Sequence, residues 1–451
     1  MLLAYRGYSV ILFAPVAALT AVLLTDPRLV FPFYSGVFMV RLASFVGLYF
    51  PVFLLGAVFG KLIEISGFAR SITRSLVRMV GPGKSIFSVV AVCGLLTYGG
   101  VSLFVVAFSI YPFAAELFRE ARIPKRLIPA TIALGAFTFT MDALPGSPQI
   151  QNIIPTTFFH TDAWAAPRLG LLGGAYVFLA GMAYLEFRRR RARRAGEGYG
   201  EGHLNEPAPC GDERLPHAAV ALLPLVLVAL LNKVLTSWIG RAYGHSFEFG
   251  SFSATKVAPV DVDAVRAIWA VEGALLAAIL LVVLLSFGRI RSSFNKATGA
   301  AVSGALLAAV NTGSEYGFGA VIALLPGFQV VNEFLSQAIH DTLLNVAVRT
   351  NILAGITGSA SGGMSIVLAS MGETYLRQAQ AAGISAEVLH RVTAMASGGM
   401  DTLPHNGAVI TLLAITGLTH RQSYKDIFAM TLIKMTAVGV VIGLYYWFGI
   451  S

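Results

Sequence analysis

A five-residue pattern that occurs twice, Met-Asp-x-Leu-Pro at 141–145 and again at 400–404, limits what this chain can fold into. Each copy lies within a mostly apolar stretch, at 127–159 and at 388–418. Proline lacks a backbone donor and disfavours helical geometry at the residue before it, so each copy predicts a broken helix. Unpaired backbone groups are tolerated at membrane depth only where they line a cavity or are buried in protein. The repeated pattern therefore predicts two interrupted membrane helices around an internal site.

The composition is typical of a membrane protein. Of the 451 residues, 56% are hydrophobic and 12% are charged, whereas an ordinary soluble domain has about 25% charged residues. Several apolar runs reach the length that spans a bilayer, which predicts an all-α, multi-pass membrane protein. The net charge of +10 is concentrated in short loops, where Lys and Arg set orientation, so it does not indicate binding to nucleic acid.

Two further apolar blocks favour re-entrant hairpins over single crossings. Block 86–118 turns at Gly99-Gly100 and has basic residues on both flanks, which the positive-inside rule places together in the cytoplasm. Its first arm of about thirteen residues rises ~20 Å, which is short of a ~30 Å hydrocarbon core. Block 342–375 is interrupted in the same way by a Gly- and Ser-rich segment.

The matched order of hairpin and aspartate motif indicates two related halves. With an extra span near 218–235, the chain crosses the membrane an odd number of times between equivalent points of the two halves. The second half is therefore expected to have the opposite orientation in the membrane to the first. The predicted domains are repeat one (1–187, with hairpin 86–118 and broken helix 127–159), a basic, flexible cytoplasmic linker (188–215) and repeat two (216–451, with hairpin 342–375 and broken helix 388–418).

Acidic residues within apolar segments are the first candidates for a functional site. An ionised carboxylate in the bilayer costs at least ~2.5 kcal/mol and indicates a functional site by default. Asp142 and Asp401 lie at the helix breaks of both halves, and Glu315 lies in an apolar helix. We predict that these three residues couple transport to a cation, and that His405, expected one helical turn from Asp401, tunes it. The alternative is that each aspartate caps the half-helix that follows it.

Small polar residues beside the breaks are candidates for binding an anion. Glycine lets a backbone approach a ligand closely, and half-helix N-termini present amides and partial positive charge. Neutral side chains there are suited to hydrogen-bond a hydroxy-acid. The predicted substrate-binding residues are Gly99, Gly100, Ser102, Ser147, Ser361, Gly363, Ser365, His405 and Asn406. Each also has a structural interpretation, as a turn residue or as a local backbone partner.

Three basic residues in apolar segments have simpler interpretations. His390 and Arg391 lie near the start of the second broken helix and are expected at the membrane interface. Arg349 lies in the first arm of block 342–375. It is expected to pair with Glu315, to bind the substrate carboxylate or to snorkel outward.

The sequence contains no pattern typical of an enzyme. It has no Gly-rich phosphate loop followed by Lys-Ser/Thr, no Cys/His set with metal spacing and no nucleophile elbow. We therefore predict neither a catalytic residue nor a cofactor nor a metal site. A secondary active transporter and a passive anion channel remain, and carboxylates in both halves favour the transporter because a channel would need neither.

Three segments resemble a known family of transporters. Tyr5-Arg6-Gly7-Tyr8-Ser9-Val10, the stretch from Asn311 to Gly319 and the stretch from Asp401 to Ile410 resemble the gluconate permease (GntP) family, in particular its D-β-hydroxybutyrate permease branch. The resemblance covers nearly the whole chain outside 195–215. It implies the ion-transporter superfamily fold, with a scaffold domain and a transport domain that moves as an elevator.

The same resemblance implies a function and a location. The expected activity is symport of a small hydroxy-carboxylate anion, such as hydroxybutyrate or gluconate, usually with protons. Coupling to Na⁺ is the alternative within transport. The expected setting is a homodimer in the bacterial inner (cytoplasmic) membrane, in contact with lipid.

Overall fold

The computed structural model describes residues 10–80, 84–207, 215–249 and 258–451, which are mainly helical. The helices are α1 Val10–Thr25, α2 Met39–Ile65, α3 Phe68–Val80, α4 Ser85–Tyr98, α5 Leu103–Glu120, α6 Ile128–Ala136, α7 Phe139–Asp142, α8 Ile150–Phe159, α9 Pro167–Arg194, α10 Ala218–Tyr243, α11 Val262–Ile290, α12 Phe294–Ala323, α13 Pro326–Ala338, α14 Thr342–Thr357, α15 Ala360–Ala381, α16 Ala386–Ser397, α17 Gly407–Thr416 and α18 His420–Phe448. Short helical turns at Pro27–Leu29, Val30–Phe33 and Tyr34–Phe38 lead into α2, and the turn Lys125–Leu127 leads into α6.

The prediction of a helical, multi-pass membrane protein is confirmed at this level. Among the described residues, five helical stretches are long and apolar enough to cross a membrane: Pro27–Ile65, Pro167–Arg194, Ala218–Tyr243, Val262–Ile290 and His420–Phe448. The all-α prediction missed one small feature, a ribbon of two antiparallel two-residue strands. In it, β1 (Ser246–Phe247) pairs with β2 (Val260–Asp261), with Ser246 opposite Asp261.

Polar caps fix where several of these helices begin. Asp261, Asp341 and Ser385 each accept a hydrogen bond from a backbone amide in the first turn of α11, α14 and α16. Thr419 and Gln422 form a capping box at the start of α18. Because the first amides of a helix lack intrahelical partners, such caps set the helix starts locally, before any tertiary contact is made.

The two apolar blocks 86–118 and 342–375 each form a pair of helices joined by a tight turn. The α4–α5 turn passes through Gly100, whose φ of +94° lies in the left-handed region. The α14–α15 turn passes through Gly358, with φ +70°. A Cβ added to Gly363 would lie 2.2 Å from Ala354 N, so only glycine permits the close approach of the two arms.

Both long apolar stretches are interrupted at the repeated pattern. The first is divided into α6, α7 and α8, and residues 143–149 between α7 and α8 are not helical. The second is divided into α16 and α17 by turns at 398–406. These two interruptions are called the first break (143–149) and the second break (398–406).

Helices from both halves surround the two breaks. Helix α8 packs against α15 and α16, α17 packs against α5, and both α6 and α9 pack against α18. A second group of contacts joins α12 to α1 and α2, and α10 to α11. The first group brings residues that are more than two hundred positions apart into one buried region.

The described part of the linker is packed against the helices. Residues 188–194 continue α9, so the arginine run is helical. Residues 195–207 have no helix or strand, but Lys125 Nζ donates to Leu204 O at 2.8 Å and Asn205 Nδ2 donates to Ala414 O at 2.9 Å. These contacts differ from the flexible linker that its composition predicts. Residues 208–214 lie outside the described residues.

Candidate functional site

The two aspartates of the repeated pattern face one lysine from the last helix. Lys434 of α18 is 3% exposed, and its Nζ forms an ion pair with Asp401 Oδ1. The same Nζ donates to Phe137 O at 3.3 Å. A Cβ added to Gly398 would lie 1.8 Å from Asp142 Oδ2 and 3.6 Å from Lys434 Nζ, which places Asp142 beside the same ammonium. The sequence thus folds into a buried Asp–Lys–Asp cluster at the two breaks.

A buried arginine of α16 bonds to backbone carbonyls on either side of α8. Arg391 is fully buried and donates to Asn152 Oδ1 at 2.9 Å, to Ala165 O at 2.8 Å and to Asp142 O at 3.2 Å. Its guanidinium therefore satisfies one carbonyl at the end of α7, next to the first break, and one in the loop before α9. Such satisfaction is required wherever irregular backbone is buried.

The neighbouring histidine completes this network. His390 is fully buried, and its ring nitrogens lie 2.7 Å from Thr161 Oγ1 and 3.3 Å from Asn152 Oδ1. The prediction that His390 and Arg391 lie at the membrane interface is wrong, because α16 packs on α8 and encloses both side chains.

The predicted residues of the first hairpin lie against the first break and the spans around it. A Cβ added to Gly99 would lie 2.3 Å from Leu225 Cδ2, and one added to Gly100 would lie 3.2 Å from Pro148 Cγ. Ser102 N is 3.4 Å from the Cβ position of Gly60 on α2. The glycines are thus needed for close packing at this turn.

Ser147 fits its structural interpretation. Its hydroxyl, which lies in the first break, donates to Thr140 O at 2.7 Å. The side chain is fully buried. It therefore satisfies the backbone locally in this structure.

The predicted residues of the second break face the second hairpin. His405 Nε2 is 3.0 Å from Gly355 O, and Asn406 Nδ2 donates to Gly358 O at 2.7 Å. Asn406 also caps α17 by accepting from Ala408 N at 2.7 Å. Residues 398–405 form turns and not a helix, so the expectation that His405 lies one helical turn from Asp401 is wrong.

Several buried oxygens around the second hairpin have no hydrogen-bond partner among the described residues. They are Glu315 Oε2, Thr350 Oγ1, Asn351 Oδ1 and Ser365 Oγ. Buried polar atoms are nearly always paired, so such atoms indicate water, an ion or a ligand group. Of the predicted substrate-binding residues in this hairpin, Ser365 has a hydroxyl without a partner among the described residues. Ser361 Oγ lies 3.4 Å from Ser359 Oγ, and Gly363 packs against α14.

Glu315 lies at the turn of the second hairpin. A Cβ added to Gly362 would lie 1.6 Å from Glu315 Oε2, so the carboxyl of α12 touches the first turn of α15. Arg349 is 6% exposed, which excludes the outward snorkelling that was one of its three interpretations. The neighbours of Glu315 are thus residues of the second hairpin, whereas Asp142 and Asp401 share Lys434.

Sequence reasoning missed Lys434, although a signal was present. A single lysine interrupts the apolar run of the last span, and an ionisable residue inside a span indicates a functional site. Asn152, which accepts from Arg391 at 2.9 Å, is a second buried residue that the sequence analysis did not connect to this region. The residue pattern of a single sequence does not show which side chains from distant parts of the chain face each other.

Comparison with known proteins gives a consistent result. The model of the family described as GntP family permease matches residues 41–239. The protein named uncharacterized transporter YxjC of Bacillus subtilis (strain 168) is 55% identical over 453 residues, which covers 99% of this chain and 96% of the relative.

Two solved structures share the fold. The Alcanivorax borkumensis YdaH transporter gives a TM-score of 0.54 at 16% identity, over 95% of this chain and 90% of that one. Neisseria gonorrhoeae MtrF, described as illuminating a class of antimetabolite efflux pumps, gives 0.51 at 12% identity, over 90% and 82%. At such identities the likeness concerns the fold alone.

Proposed function

This chain belongs to the GntP permease family, and we propose that it imports a small organic anion together with protons. The family and the 55% identical relative are transporters, so the chain is a membrane transporter and not an enzyme. The observation that carries the proposed proton coupling is the buried cluster of Asp142, Asp401 and Lys434.

Charge balance gives a reason for the anion and the proton to travel together. With all four groups ionised, Asp142 and Asp401 contribute two negative charges to the buried region, and Lys434 and Arg391 contribute two positive charges. A proton on either carboxylate makes the region positive, and a bound monocarboxylate then restores neutrality. An uncompensated buried charge costs several kcal/mol, so the empty and doubly loaded states are favoured over either half-loaded state.

The membrane potential favours the same coupling. An anion that enters alone moves against a negative-inside potential at a cost of ~2.3 kcal/mol per 100 mV. A co-transported proton removes that cost. A passive channel on this scaffold would have no use for two buried carboxylates with a shared lysine.

Protons fit the cluster better than Na⁺. The ammonium of Lys434 already occupies the cation position beside Asp401. Sodium coupling is the alternative that the experiment below separates.

We further propose an elevator of inverted repeats, with both hairpins and both broken helices moving against α2 and α12 of a dimeric scaffold. Small residues at the α12–α15 contact support this division, because they allow helices to approach closely. A Cβ added to Gly319 would lie 2.8 Å from Ile366 Cγ1. The substrate class that the family resemblance implies is a small hydroxy-carboxylate, and Ser365 and Asn406 are its proposed partners.

Uptake into proteoliposomes tests this function. The purified protein is given an inward pH gradient and, in turn, radiolabelled hydroxybutyrate, gluconate, lactate and citrate, each with and without sodium. Asp401→Asn is expected to retain exchange of bound substrate and to lose proton-driven accumulation, and Asp142→Asn to lose it less completely. Glu64→Gln, a carboxylate paired with Lys61 at 2.9 Å and partly exposed, is the matched control.

Three outcomes would contradict parts of the proposal. If both aspartate variants accumulate substrate at the wild-type level, the coupling site lies elsewhere, and Glu315→Gln is the next variant. Uptake that stops without sodium at any pH indicates Na⁺ coupling. Uptake that never exceeds the external concentration indicates a channel.

A further inference from the structure

We propose that a second anion site, distinct from the transport cluster, holds a phosphate group at the basic end of α9. A cavity of about 180 Å³ lies between α9, the start of α18 and the residues before α6. Its charged lining residues are Arg126, Arg188, Arg191, Lys425 and Glu197. A water molecule takes up about 30 Å³ in the liquid, so the cavity has room for a phosphate group.

The charges around this cavity are not balanced. Arg126 lies 2.6 Å from Glu197 and 3.1 Å from Asp426, and Arg188 lies 2.8 Å from Asp426. These two carboxylates are shared by two arginines. The other two lining cations, Arg191 and Lys425, have no acidic partner within 4 Å in the part of the chain that the structure describes. The cavity therefore has a net charge of about +2, which suits a phosphate monoester or diester.

One donor of a lining arginine lacks an acceptor. Arg188 Nε is buried and has no hydrogen-bond partner among the described residues, although Nη1 of the same guanidinium donates to Tyr184 Oη at 3.1 Å. Buried donors are usually satisfied. The planar guanidinium matches two phosphate oxygens at once, so a phosphate that reaches Nε would supply the missing acceptor.

The position of the cavity favours a lipid headgroup as the source of the phosphate. The arginine run at the end of α9 places this face in the cytoplasm by the positive-inside rule. Basic pockets between membrane helices on that side bind anionic headgroups. Arg126 comes from the first half of the chain and Lys425 from the second, so the ligand would hold the two halves together. Free inorganic phosphate has the same chemistry and is the other source.

Thermal unfolding of the full-length protein in detergent tests the site. One pair of probes is inorganic phosphate against chloride at equal ionic strength. The other pair is short-chain phosphatidylglycerol against phosphatidylcholine. The wild type is expected to gain about 3 °C in Tm at a hundredfold excess of ligand over Kd. Arg191→Gln/Lys425→Gln is expected to lose this gain.

A matched control lies on the same helix. Arg190→Gln removes an exposed arginine that pairs with Glu186 at 3.2 Å outside the cavity, and it is expected to keep the full gain. If the double variant cannot be purified, Lys425→Gln alone, a change at an exposed position, is compared with the wild type and with Arg190→Gln instead.

The outcomes separate the sources and decide the proposal. A gain with phosphatidylglycerol that is much larger than the gain with phosphate supports a lipid headgroup. Equal gains at equal phosphate content support soluble phosphate. The proposal is overturned if neither probe raises Tm above its control, or if the cavity variants gain as much as the wild type. Because the readout is stability, failure here leaves the proposed transport function untouched.

Discussion

Replacing Lys434 with methionine removes the cation that the two buried aspartates share. The side chain is 3% exposed and pairs with Asp401, so its loss leaves a carboxylate without compensation in a region closed to solvent. Removing one partner of a buried ion pair costs about 3–5 kcal/mol of stability. Unfolding entropy of about 2.1 cal/mol/K per residue, taken over 451 residues, converts this loss into a Tm lower by about 3–5 °C.

Thermal unfolding in detergent measures this change, and a double variant shows its cause. Asp401→Asn/Lys434→Met removes both charges of the pair, so it is expected to recover a large part of the stability that Lys434→Met loses. Lys61→Met is the control, because Lys61 pairs with Glu64 at 2.9 Å while both side chains are about 30% exposed. An exposed pair contributes about 0–1 kcal/mol, so this variant should unfold within about 1 °C of the wild type.

Two results would refute this reasoning. Lys434→Met with an unchanged Tm would show that the ammonium does not compensate the buried carboxylates. A double variant whose loss equals the sum of the two single losses would show that Lys434 and Asp401 do not interact energetically.

Two further predictions concern the second hairpin and the linker. Gly362→Ala places a methyl group 1.6 Å from Glu315 Oε2, so overpacking should cost about 1–3 kcal/mol of stability and lower Tm, and adding Glu315→Ala should restore Tm. Gly443→Ala, which meets nothing within 4 Å, should be neutral, and an equal loss there would contradict the contact. Hydrogen bonds from Arg126 hold the pKa of Glu197 below its ordinary value, so this pair stabilises the fold at neutral pH and is lost as pH falls through that lowered pKa. Hydrogen exchange of residues 195–207, corrected for intrinsic rates, should therefore rise at acidic pH in the wild type and rise less in Glu197→Gln, which keeps the pairs of Glu206 with Arg119 and Lys125. Identical pH dependence in both would exclude the Arg126–Glu197 pair as a cause.

The sequence predicts the features that local chemistry determines. Hydrophobicity and length predict the helical membrane class, and proline after aspartate predicts where two apolar stretches are interrupted. The duplicated motif also singles out Asp142 and Asp401, and the structure places both beside Lys434. Their role in coupling remains a prediction that the uptake experiment tests.

Local sequence patterns do not predict how helices that are distant in the chain align along one another. Lys434 reaches Asp401 because α18 packs along α6 and α16, and no local pattern encodes that alignment. His390 and Arg391 follow a polar cap and are typical of an interface, yet α8 encloses them. The direction in which the His405 side chain points depends on the backbone conformation of a turn. Residue types alone do not determine that conformation.

The hydrogen bonds of Arg391 have a consequence for how the chain is made. Its partners Ala165 O and Asp142 O belong to a segment that the ribosome completes long before residue 391 emerges, because the contacts span 226 and 249 positions. At about 5–20 residues per second, synthesis of these intervals takes on the order of 10–50 s. During this time the newly inserted first half has carbonyls that the hydrocarbon core of the bilayer cannot satisfy. Until the second half is inserted, water, lipid headgroups or the insertion machinery must supply hydrogen-bond donors for these carbonyls.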